Sequence, residues 1–210
     1  MFHDRIEAGI LLVKKLRKYK GENCVILGIP RGGIPVAYTV ATELDLPLDI
    51  ILTRKIGHPL NKEFAIGAAS LNDYFIEEED GYVSKDYVKE EVQAVQKRLN
   101  EMKVTFKGNK ADIKLEDKIV IIVDDGIATG NTLLAAIRLL RKSKPDKIIV
   151  AVPVASNSAV EKISKEADEV ITVIMPYDFH GVGQYYESFE TVNDDEVTKY
   201  LSKISNPIKQ

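Results

Sequence analysis

The sequence predicts a doubly wound α/β domain built on a mainly parallel sheet, and three observations lead to that prediction. Short apolar runs rich in β-branched residues recur along the chain, as in CVILGI, LDIILT and KIVIIV. Stretches with apolar residues at helical spacing separate these runs. Glycine-rich turns join strand to helix at PRGG and at DDGIATGNT. Because strands buried on both faces have nearly continuous apolar sequences, we expect helices on both sides of the sheet.

The first half of the chain alternates between helix, strand and turn. Asp4 to Lys20 carry apolar residues at helical spacing, which predicts an opening amphipathic helix. The runs Cys24 to Ile29 and Leu48 to Thr53 are too short for helices and predict buried strands, with a helix over IPVAYTVATEL between them. The next segment, RKIGHPLNKEF, is polar, contains Gly57 and Pro59 and has no periodicity, so we predict a mobile loop.

The second half opens with small residues and β-formers between Phe64 and Ile76, which predict two short strands. An acidic turn is predicted over Glu77 to Asp80, and Ser84 is placed to cap a charged helix that runs to about Lys103. The remaining predicted elements are strands over Lys118–Val123, Lys147–Pro153 and Glu169–Met175, and helices over Leu133–Arg141 and Asn157–Glu166. No repeat, low-complexity tract or linker divides them, so residues 1–210 are expected to form one domain.

Composition excludes several classes of protein. With 210 residues, of which 45% are apolar, the chain can bury a core without disulfides or metals. The single Cys24 cannot form an internal disulfide, and the spacing of cysteine and histidine offers no zinc site. The first residues carry charges where a signal peptide needs an apolar core, and no apolar run reaches the ~20 residues that span a bilayer. Since the net charge is also only -3, we expect a cytoplasmic protein with no membrane or nucleic-acid partner.

The segment after KIVIIV contains the best candidate site. In an open parallel sheet, ligands bind beyond the carboxyl ends of the strands, where Asp124 and Asp125 are expected to lie. A helix N-terminus follows and would supply backbone amides, together with the glycines and hydroxyl groups of Gly126, Thr129, Gly130 and Thr132. Such a cradle suits a phosphate group, whereas the two carboxylates would repel phosphate and suit vicinal hydroxyls or a metal ion. The residues therefore predict a phosphorylated sugar as the ligand.

Two other kinds of phosphate loop do not fit these residues. A Walker A loop needs G-x-x-x-x-G-K-[ST], but Ile34 and Pro35 follow Gly33, and the turn from Gly126 to Thr132 contains no lysine. A dinucleotide-binding fingerprint needs G-x-G-x-x-G, and neither GIPRGG nor DGIATGNT supplies it.

The turn and its strand, VIIVDDGIATGNT, closely resemble the signature with which type I phosphoribosyltransferases bind 5-phosphoribosyl 1-diphosphate (PRPP). LGIPRGGIPVA and RKIGHP resemble uncharacterised bacterial and archaeal members of that family, and VGQYYESF resembles the hood of its purine enzymes. The resemblance covers about residues 20–200. It implies a doubly wound, mainly parallel sheet with a small hood built from terminal segments, in which 176–192 would be the hood segment.

The resemblance implies a role for each part of the PRPP molecule. Asp124 and Asp125 would contact the ribose hydroxyls and hold Mg²⁺, directly or through water, while the loop from Ala128 to Thr132 would hold the 5-phosphate. The PRPP-binding set would be Arg31, Gly32, Gly33, Asp124, Asp125, Gly126, Ala128, Thr129, Gly130, Asn131 and Thr132.

Catalysis in the family implies stabilisation of the departing diphosphate. Arg31, Arg54 and Lys55 would supply positive charge, and Mg²⁺ would bridge the diphosphate. The loop from Ile56 to Phe64 would close over the site and exclude water. The catalytic set would be Arg31, Arg54, Lys55, Asp124 and Asp125. The implied reaction transfers the 5-phosphoribosyl group from PRPP to a nitrogenous acceptor and releases diphosphate.

One departure from the family pattern reduces the range of acceptor bases that we expect. In 6-oxopurine enzymes an aspartate usually precedes T-G, whereas this chain has Ala128 and so resembles the adenine and orotate members. A nucleobase other than a 6-oxopurine is therefore the favoured acceptor. The candidates for contact with a flat base lie in the expected hood: Tyr177, Phe179, Val182, Tyr185 and Tyr186.

Other interpretations of these residues stay open. Gly32 and Gly33 could serve only a tight strand-to-helix turn, one of the two aspartates could cap the following helix, and His58 and His180 are expected to be loop residues. The alternative function is a non-catalytic regulator of the same fold that senses PRPP or a nucleotide. A structural or interaction protein with a vestigial phosphate loop is a third hypothesis. We also expect a homodimer.

Overall fold

A computed structural model describes residues 1–77 and 83–204 of the chain, apart from the side chain of Glu63. The predicted acidic turn lies outside the described residues, except for Glu77. None of the helices in the described ranges is both long and apolar enough to cross a membrane.

Helices and strands alternate along most of the chain. The helices are α1 (Arg5–Leu16), α2 (Gly33–Leu44), α3 (Lys85–Lys107), α4 (Asn131–Arg141), α5 (Asn157–Ile163) and α6 (Asp194–Lys203). The strands are β1 (Cys24–Gly28), β2 (Leu48–Ile50), β3 (Thr53–His58), β4 (Asn61–Ser70), β5 (Tyr74–Ile76), β6 (Ile119–Val123), β7 (Lys147–Val154) and β8 (Glu169–Ile174).

The central sheet is parallel, with the strand order β2-β1-β6-β7-β8. β1 is buried along its whole length because helices cover both faces of the sheet. On one face, Ile26 and Ile121 belong to a core that includes residues of α1 and α2, and on the other, Val25 and Ile122 belong to a core with α4 and α5. The prediction of a doubly wound α/β fold is therefore confirmed. Since β1 and β6 are neighbours, the loops that follow them lie side by side.

The prediction of a mobile loop after Thr53 is wrong, because that segment forms an antiparallel hairpin. β3 pairs with β4, and β5 extends this second sheet from β4. The predicted strand Leu48–Thr53 is correspondingly divided, because Thr53 already belongs to the hairpin. Register shifts around Gly57 disturb the alternation of apolar and polar residues, which explains the missing periodicity. Ile56 is fully buried, and the Tyr87 hydroxyl of α3 donates to the Gly57 carbonyl at 2.6 Å, so the hairpin is anchored to α3.

The start of the chain packs against a segment close to its end. The Phe2 amide donates to the Tyr185 carbonyl at 2.7 Å, and the Phe2 carbonyl accepts from the Glu187 amide at 2.8 Å. The ring of Phe2 lies 5.2 Å from that of Tyr186. The terminal residues thus contact the 176–192 segment, which stays a proposed hood.

Helix α6 is an element that the sequence analysis did not predict. Its capping box joins Asn193 and Glu196: each side chain accepts a hydrogen bond from the other residue's backbone amide. The pattern N-x-x-E was visible in the sequence and would have located the start of the helix. The predicted Ser84 cap of α3 is confirmed, because its side chain accepts from the Tyr87 amide, although α3 extends beyond Lys103.

Candidate active site

The loops after β1 and β6 touch at the carboxyl edge of the sheet. The Ile29 amide donates to the Val123 carbonyl at 2.9 Å, which holds the two loop origins together. A Cβ atom on Gly33 would lie 2.8 Å from Asp124 Cα, and one on Gly32 would lie 2.1 Å from Asp125 Oδ2. Close approach to the acidic pair therefore favours glycine at both positions, which is more than a tight turn alone would need.

Asp125 is held by a residue that the sequence analysis missed. Arg5 is the first residue of α1, and its Nε donates a hydrogen bond to Asp125 Oδ2 at 2.9 Å. Its Nη2 also lies 2.9 Å from Asp125 Oδ2. The Tyr186 hydroxyl donates to the Asp125 backbone carbonyl at 2.6 Å. The Asp125 side chain keeps 14% of its surface exposed.

Asp124 lies deeper at the same edge. Its Oδ1 accepts a hydrogen bond from the Asp125 amide at 2.9 Å. Burial raises the pKa of Asp124 well above its usual range, and the neighbouring charge of Asp125 raises the pKa further. Burial also raises the pKa of Asp125, but the Arg5 guanidinium opposes that shift. Burial therefore favours the protonated form of both carboxyl groups, and Arg5 opposes that effect at Asp125.

An Asp124→Asn variant is expected to be more stable than the wild type at neutral pH. Folding raises the pKa of Asp124, so the folded protein retains a proton that the unfolded chain has lost. The free energy of unfolding therefore falls as pH rises from 3.8 through the raised pKa. Asparagine can keep the bond to the Asp125 amide without the charge. Thermal denaturation at neutral pH should show a Tm increase of roughly 2–4 °C, which corresponds to about 1 kcal/mol; a decrease would mean that the Asp124 charge is compensated.

The loop between the acids and α4 has the form of an anion cradle. Gly130 adopts a φ of 76° and forms the N-cap of α4, a left-handed conformation that favours glycine. Ala128 and Thr129 are exposed, as are the first helical residues, Asn131 and Thr132. The Ser156 hydroxyl donates to the Ala128 carbonyl at 2.7 Å and so fixes the loop from β7. The residues around the start of α4 are therefore accessible from solvent, apart from Gly130.

Lys162 of α5 is a second cationic residue that the sequence analysis missed. Its Nζ donates to Asn131 Oδ1 at 2.5 Å, beside the start of α4. Because Ile163 also lies close to Gly130, α5 packs directly beside the cradle. Its sequence context, a helix between two ordinary strands, gave no sign of this proximity. Lys162 thus adds a positive charge at the proposed phosphate end of the site.

Arg31 contacts the first residue of α6. Its Nε forms an ion pair with Asp194 Oδ1, and the side chain is half exposed. A cavity of about 330 Å³ lies between Arg31 and residues 191–195. The hydrogen bond and charge of Asp194 raise the pKa of Arg31, which stays a cation. In this conformation the arginine contacts a carboxylate at the place where a phosphate group could bind.

Arg54 and Lys55 are consecutive, exposed residues of β3. Because successive side chains of a strand leave opposite faces, the two cations point in different directions. The Arg54 backbone belongs to the β3–β4 ladder, opposite Ala69. Only one of the two cations can therefore face a given ligand unless the hairpin twists locally.

The expected base-stacking residues divide into three environments. Tyr186 is only 5% exposed, and its ring packs against Phe189, with 5.0 Å between centroids. Tyr186 therefore has a packing role in this structure, and the expectation that it contacts an acceptor stays a prediction. Tyr177 is fully exposed. Phe179 and Tyr185 are half-buried and stacked, with centroids 5.8 Å apart and 15° between the planes.

Val182 links the 176–192 segment to the acidic loop. A Cβ atom on Gly126 would lie 2.6 Å from Val182 Cγ1, so the valine packs directly on the turn after the aspartates. The structure thus brings the Phe179–Tyr185 pair and Val182 into one cluster with Tyr186. Within that cluster, Val182 packs against Gly126 and Tyr186 donates to the Asp125 carbonyl.

The candidate ligands for a divalent cation at this site are the two adjacent carboxylates. Within the described residues, no cluster of three or more acidic, histidine or cysteine side chains is placed to hold a metal ion. Mg²⁺ commonly keeps several waters and binds one or two carboxylates together with phosphate oxygens of a substrate. Asp124 and Asp125 therefore fit Mg²⁺ that enters with a diphosphate-bearing substrate.

Comparison with known proteins agrees with this geometry. The model of the phosphoribosyl transferase domain matches residues 4–188. Two proteins of Mycobacterium tuberculosis, MT0597 (strain CDC 1551) and Rv0571c (strain H37Rv), are provisionally named phosphoribosyl transferases. Each is 36% identical to this chain over 207 residues, or 97% of this chain and 47% of the relative. The chain thus spans about half the length of these curated relatives.

A solved structure has nearly the same fold. The crystal structure of TT1426 from Thermus thermophilus superimposes with a TM-score of 0.88 at 36% sequence identity. The match covers 97% of this chain and 98% of the Thermus chain.

Proposed function

The chain belongs to the phosphoribosyl transferase family, and from that premise we propose that it transfers the 5-phosphoribosyl group of PRPP to a nitrogenous acceptor. One observation carries the proposal: Gly32 and Gly33 lie against Asp125 and Asp124 at the edge where the Ala128 to Thr132 loop opens. A diphosphate, a ribose and a 5-phosphate could therefore be bound side by side.

The two ends of the sugar would be held by different chemistry. Carboxylates accept hydrogen bonds from hydroxyl groups, so Asp124 and Asp125 would bind the ribose hydroxyls. The amides at the start of α4 and the hydroxyls of Thr129 and Thr132 would donate to the 5-phosphate. Lys162 would add a cation at that end, next to Asn131.

Charge development explains how the reaction would be accelerated. As the bond from C1 to the diphosphate breaks, positive charge grows on the ribose and negative charge grows on the leaving oxygens. Asp124 and Asp125 lie on the ribose side, and Arg31 would stabilise the leaving diphosphate after it separates from Asp194. Bound Mg²⁺ would neutralise part of the diphosphate charge.

Water has to be excluded, because it competes with the acceptor for the ribose carbon. The β3–β4 hairpin carries Arg54 and Lys55 and is the element proposed to close over the bound diphosphate. Closure would bring at least one of these cations toward the leaving group.

The acceptor is proposed to be a nucleobase other than a 6-oxopurine. Ala128 precedes the T-G pair, so the loop lacks the aspartate that 6-oxopurine enzymes place there. The stacked pair of Phe179 and Tyr185 offers a flat aromatic surface beside Val182. Base stacking on such a surface is worth about 1–3 kcal/mol.

Turnover with a panel of acceptors tests the proposal. The protein is incubated with PRPP, Mg²⁺ and adenine, orotate, uracil or hypoxanthine, and release of diphosphate is measured. We expect release with at least one base and the weakest release with hypoxanthine. Tight PRPP binding without release for any acceptor would instead favour the non-catalytic regulator, and absence of PRPP binding would exclude both.

Phe179→Ala is expected to raise the KM for the accepted base about tenfold, with little change in the KM for PRPP. The alanine removes the ring that stacks on Tyr185 and leaves the sugar-binding residues untouched. Tyr74→Ala is the control, because Tyr74 is an exposed tyrosine of β5, outside the 176–192 segment. Equal effects of the two variants would show that Phe179 does not contact the base.

Partners and location follow from the same proposal. Its substrates would be small molecules, PRPP and the acceptor. A homodimer and a cytoplasmic location are proposed with it, and neither is needed for the site described above.

A further inference from the structure

Arg5 is a nearly enclosed cation at the edge of the proposed sugar site, with 11% of its side chain exposed. Nε and Nη2 both lie 2.9 Å from Asp125 Oδ2. Nη1 donates to the Glu190 carbonyl at 2.7 Å, and the guanidinium carbon lies 3.9 Å from the centroid of the Phe189 ring. One residue of α1 therefore joins the acidic loop to the 176–192 segment.

These contacts determine the direction of the Asp125 carboxylate. A planar guanidinium that is held by a carboxylate, a carbonyl and an aromatic face has little freedom to rotate. Both Arg5 nitrogens contact Oδ2, which leaves Oδ1 as the carboxylate oxygen that Arg5 does not bind. Oδ1 lies 3.3 Å from the position of a Cβ on Gly32, next to the turn after β1.

We propose that Arg5 is a positioning residue of the sugar site, which presents Asp125 Oδ1 to a ribose hydroxyl and couples that orientation to the 176–192 segment. The inference rests on the proposed function, because it requires a ribose beside Asp125. It assigns a role in sugar binding to a residue 120 positions away from its partner and outside both substrate loops.

A purely structural role would predict different behaviour. Arg141 makes a comparable set of contacts, with Nη2 2.8 Å from Asp168 Oδ2 and 2.8 Å from the Glu166 carbonyl, at the opposite end of α4 from the cradle. Loss of either arginine would remove an ion pair and a bond to a carbonyl. Only loss of Arg5 would release a carboxylate of the sugar site.

A competing role is that Arg5 occupies Asp125 and has to be displaced by the sugar. In that case removal of the guanidinium would free the carboxylate, and affinity for the sugar would rise. The two roles therefore predict opposite changes for the same substitution.

The test compares ribose 5-phosphate with inorganic phosphate, both without Mg²⁺, by calorimetric titration. Inorganic phosphate has no ribose hydroxyl, so the ratio of the two affinities isolates the contribution of the sugar. The wild type, Arg5→Gln, Arg5→Lys and the control Arg141→Gln are titrated after their folding has been checked by circular dichroism.

We expect the affinity ratio to fall about tenfold in Arg5→Gln, because a hydrogen bond to a charged acceptor is misaligned. In Arg5→Lys the ratio should fall about threefold, because an ammonium group keeps the charge but lacks the planar fork of the guanidinium. In Arg141→Gln the ratio should stay within about twofold of the wild-type value. If Arg5→Gln does not fold, Arg5→Lys decides the test, and a ratio equal to that of the wild type contradicts the inference.

An unchanged or increased ratio in folded Arg5→Gln would overturn the positioning role. If the wild type binds ribose 5-phosphate no better than phosphate, the sugar site itself is misassigned, and the inference fails with the proposed function. These results are distinguishable, because the second is read from the wild type alone.

Discussion

A Gly32→Ala variant is expected to lose affinity for PRPP by at least tenfold, and by up to about a hundredfold, while it remains folded. The new Cβ atom would lie 2.1 Å from Asp125 Oδ2, well inside any permitted contact. Gly32 itself has φ -60° and ψ -33°, which alanine adopts without strain, so the effect comes from the contact and not from the backbone. The Asp125 side chain must therefore move, and it would lose the orientation that Arg5 gives it.

The loss of affinity should exceed the loss of stability in this variant. Asp125 Oδ2 is the end of a side chain, so the fold can accommodate the methyl group at a cost of about 1–3 kcal/mol, whereas the sugar site depends on the position of that oxygen. Titration with PRPP and Mg²⁺ and thermal denaturation measure the two effects. Gly181→Ala is the control, because no heavy atom lies within 4 Å of its added Cβ atom. Similar PRPP affinities for the two variants would contradict the proposed contact between Asp125 and the sugar.

Asp125→Asn is expected to weaken PRPP binding by about 1.5–3 kcal/mol, which corresponds to a factor of at least ten. The amide can still accept a hydrogen bond, but it lacks the charge that strengthens the bond to a ribose hydroxyl. The substitution also leaves the enclosed Arg5 without its anion.

The control for this substitution is an exposed acid of the same region. Asp178 has 80% of its side chain exposed and pairs with His180, so Asp178→Asn should change neither the Tm nor the affinity appreciably. PRPP titration of Asp125→Asn, Asp178→Asn and the wild type separates local from general electrostatic effects. Wild-type affinity in Asp125→Asn would mean that the acids have been assigned to the wrong part of the ligand.

The acidic loop could be predicted from sequence because its determinants are local. The strand Ile119–Val123 is a continuous apolar run, and Asp124 to Thr132 follow it directly. The neighbouring position of the turn after β1 also followed from a general property of parallel sheets, that ligands bind at the carboxyl ends of strands. Gly32 and Gly33 could therefore be assigned to the same edge as the acids.

Arg5 could not be predicted, because its role depends on contacts between distant parts of the chain. The sequence shows only a helix start with a charged residue after Asp4. Its proximity to Asp125 arises from the packing of α1 beside the sheet and from the pairing of Phe2 with the segment around Tyr186. The burial of Tyr186 follows from the same pairing and could not be predicted from the sequence for the same reason.

The β3–β4 hairpin was missed for a different physical reason. Strands are recognised in sequence by an alternation of buried and exposed side chains, and the register shifts around Gly57 interrupt that alternation. Ile56 is buried, but a single buried residue does not define an alternating pattern along the strand. The hairpin is consequently stabilised by tertiary contacts, such as that of Tyr87 with Gly57, that no local pattern reveals.

A crystal structure of the protein with PRPP and Mg²⁺ tests the central assignment most directly. We predict that a ribose hydroxyl lies within hydrogen-bond distance of an Asp125 carboxylate oxygen, and that the 5-phosphate accepts from the amides of residues 128–132. A 5-phosphate bound elsewhere, or a sugar whose hydroxyls face away from both aspartates, would contradict the account.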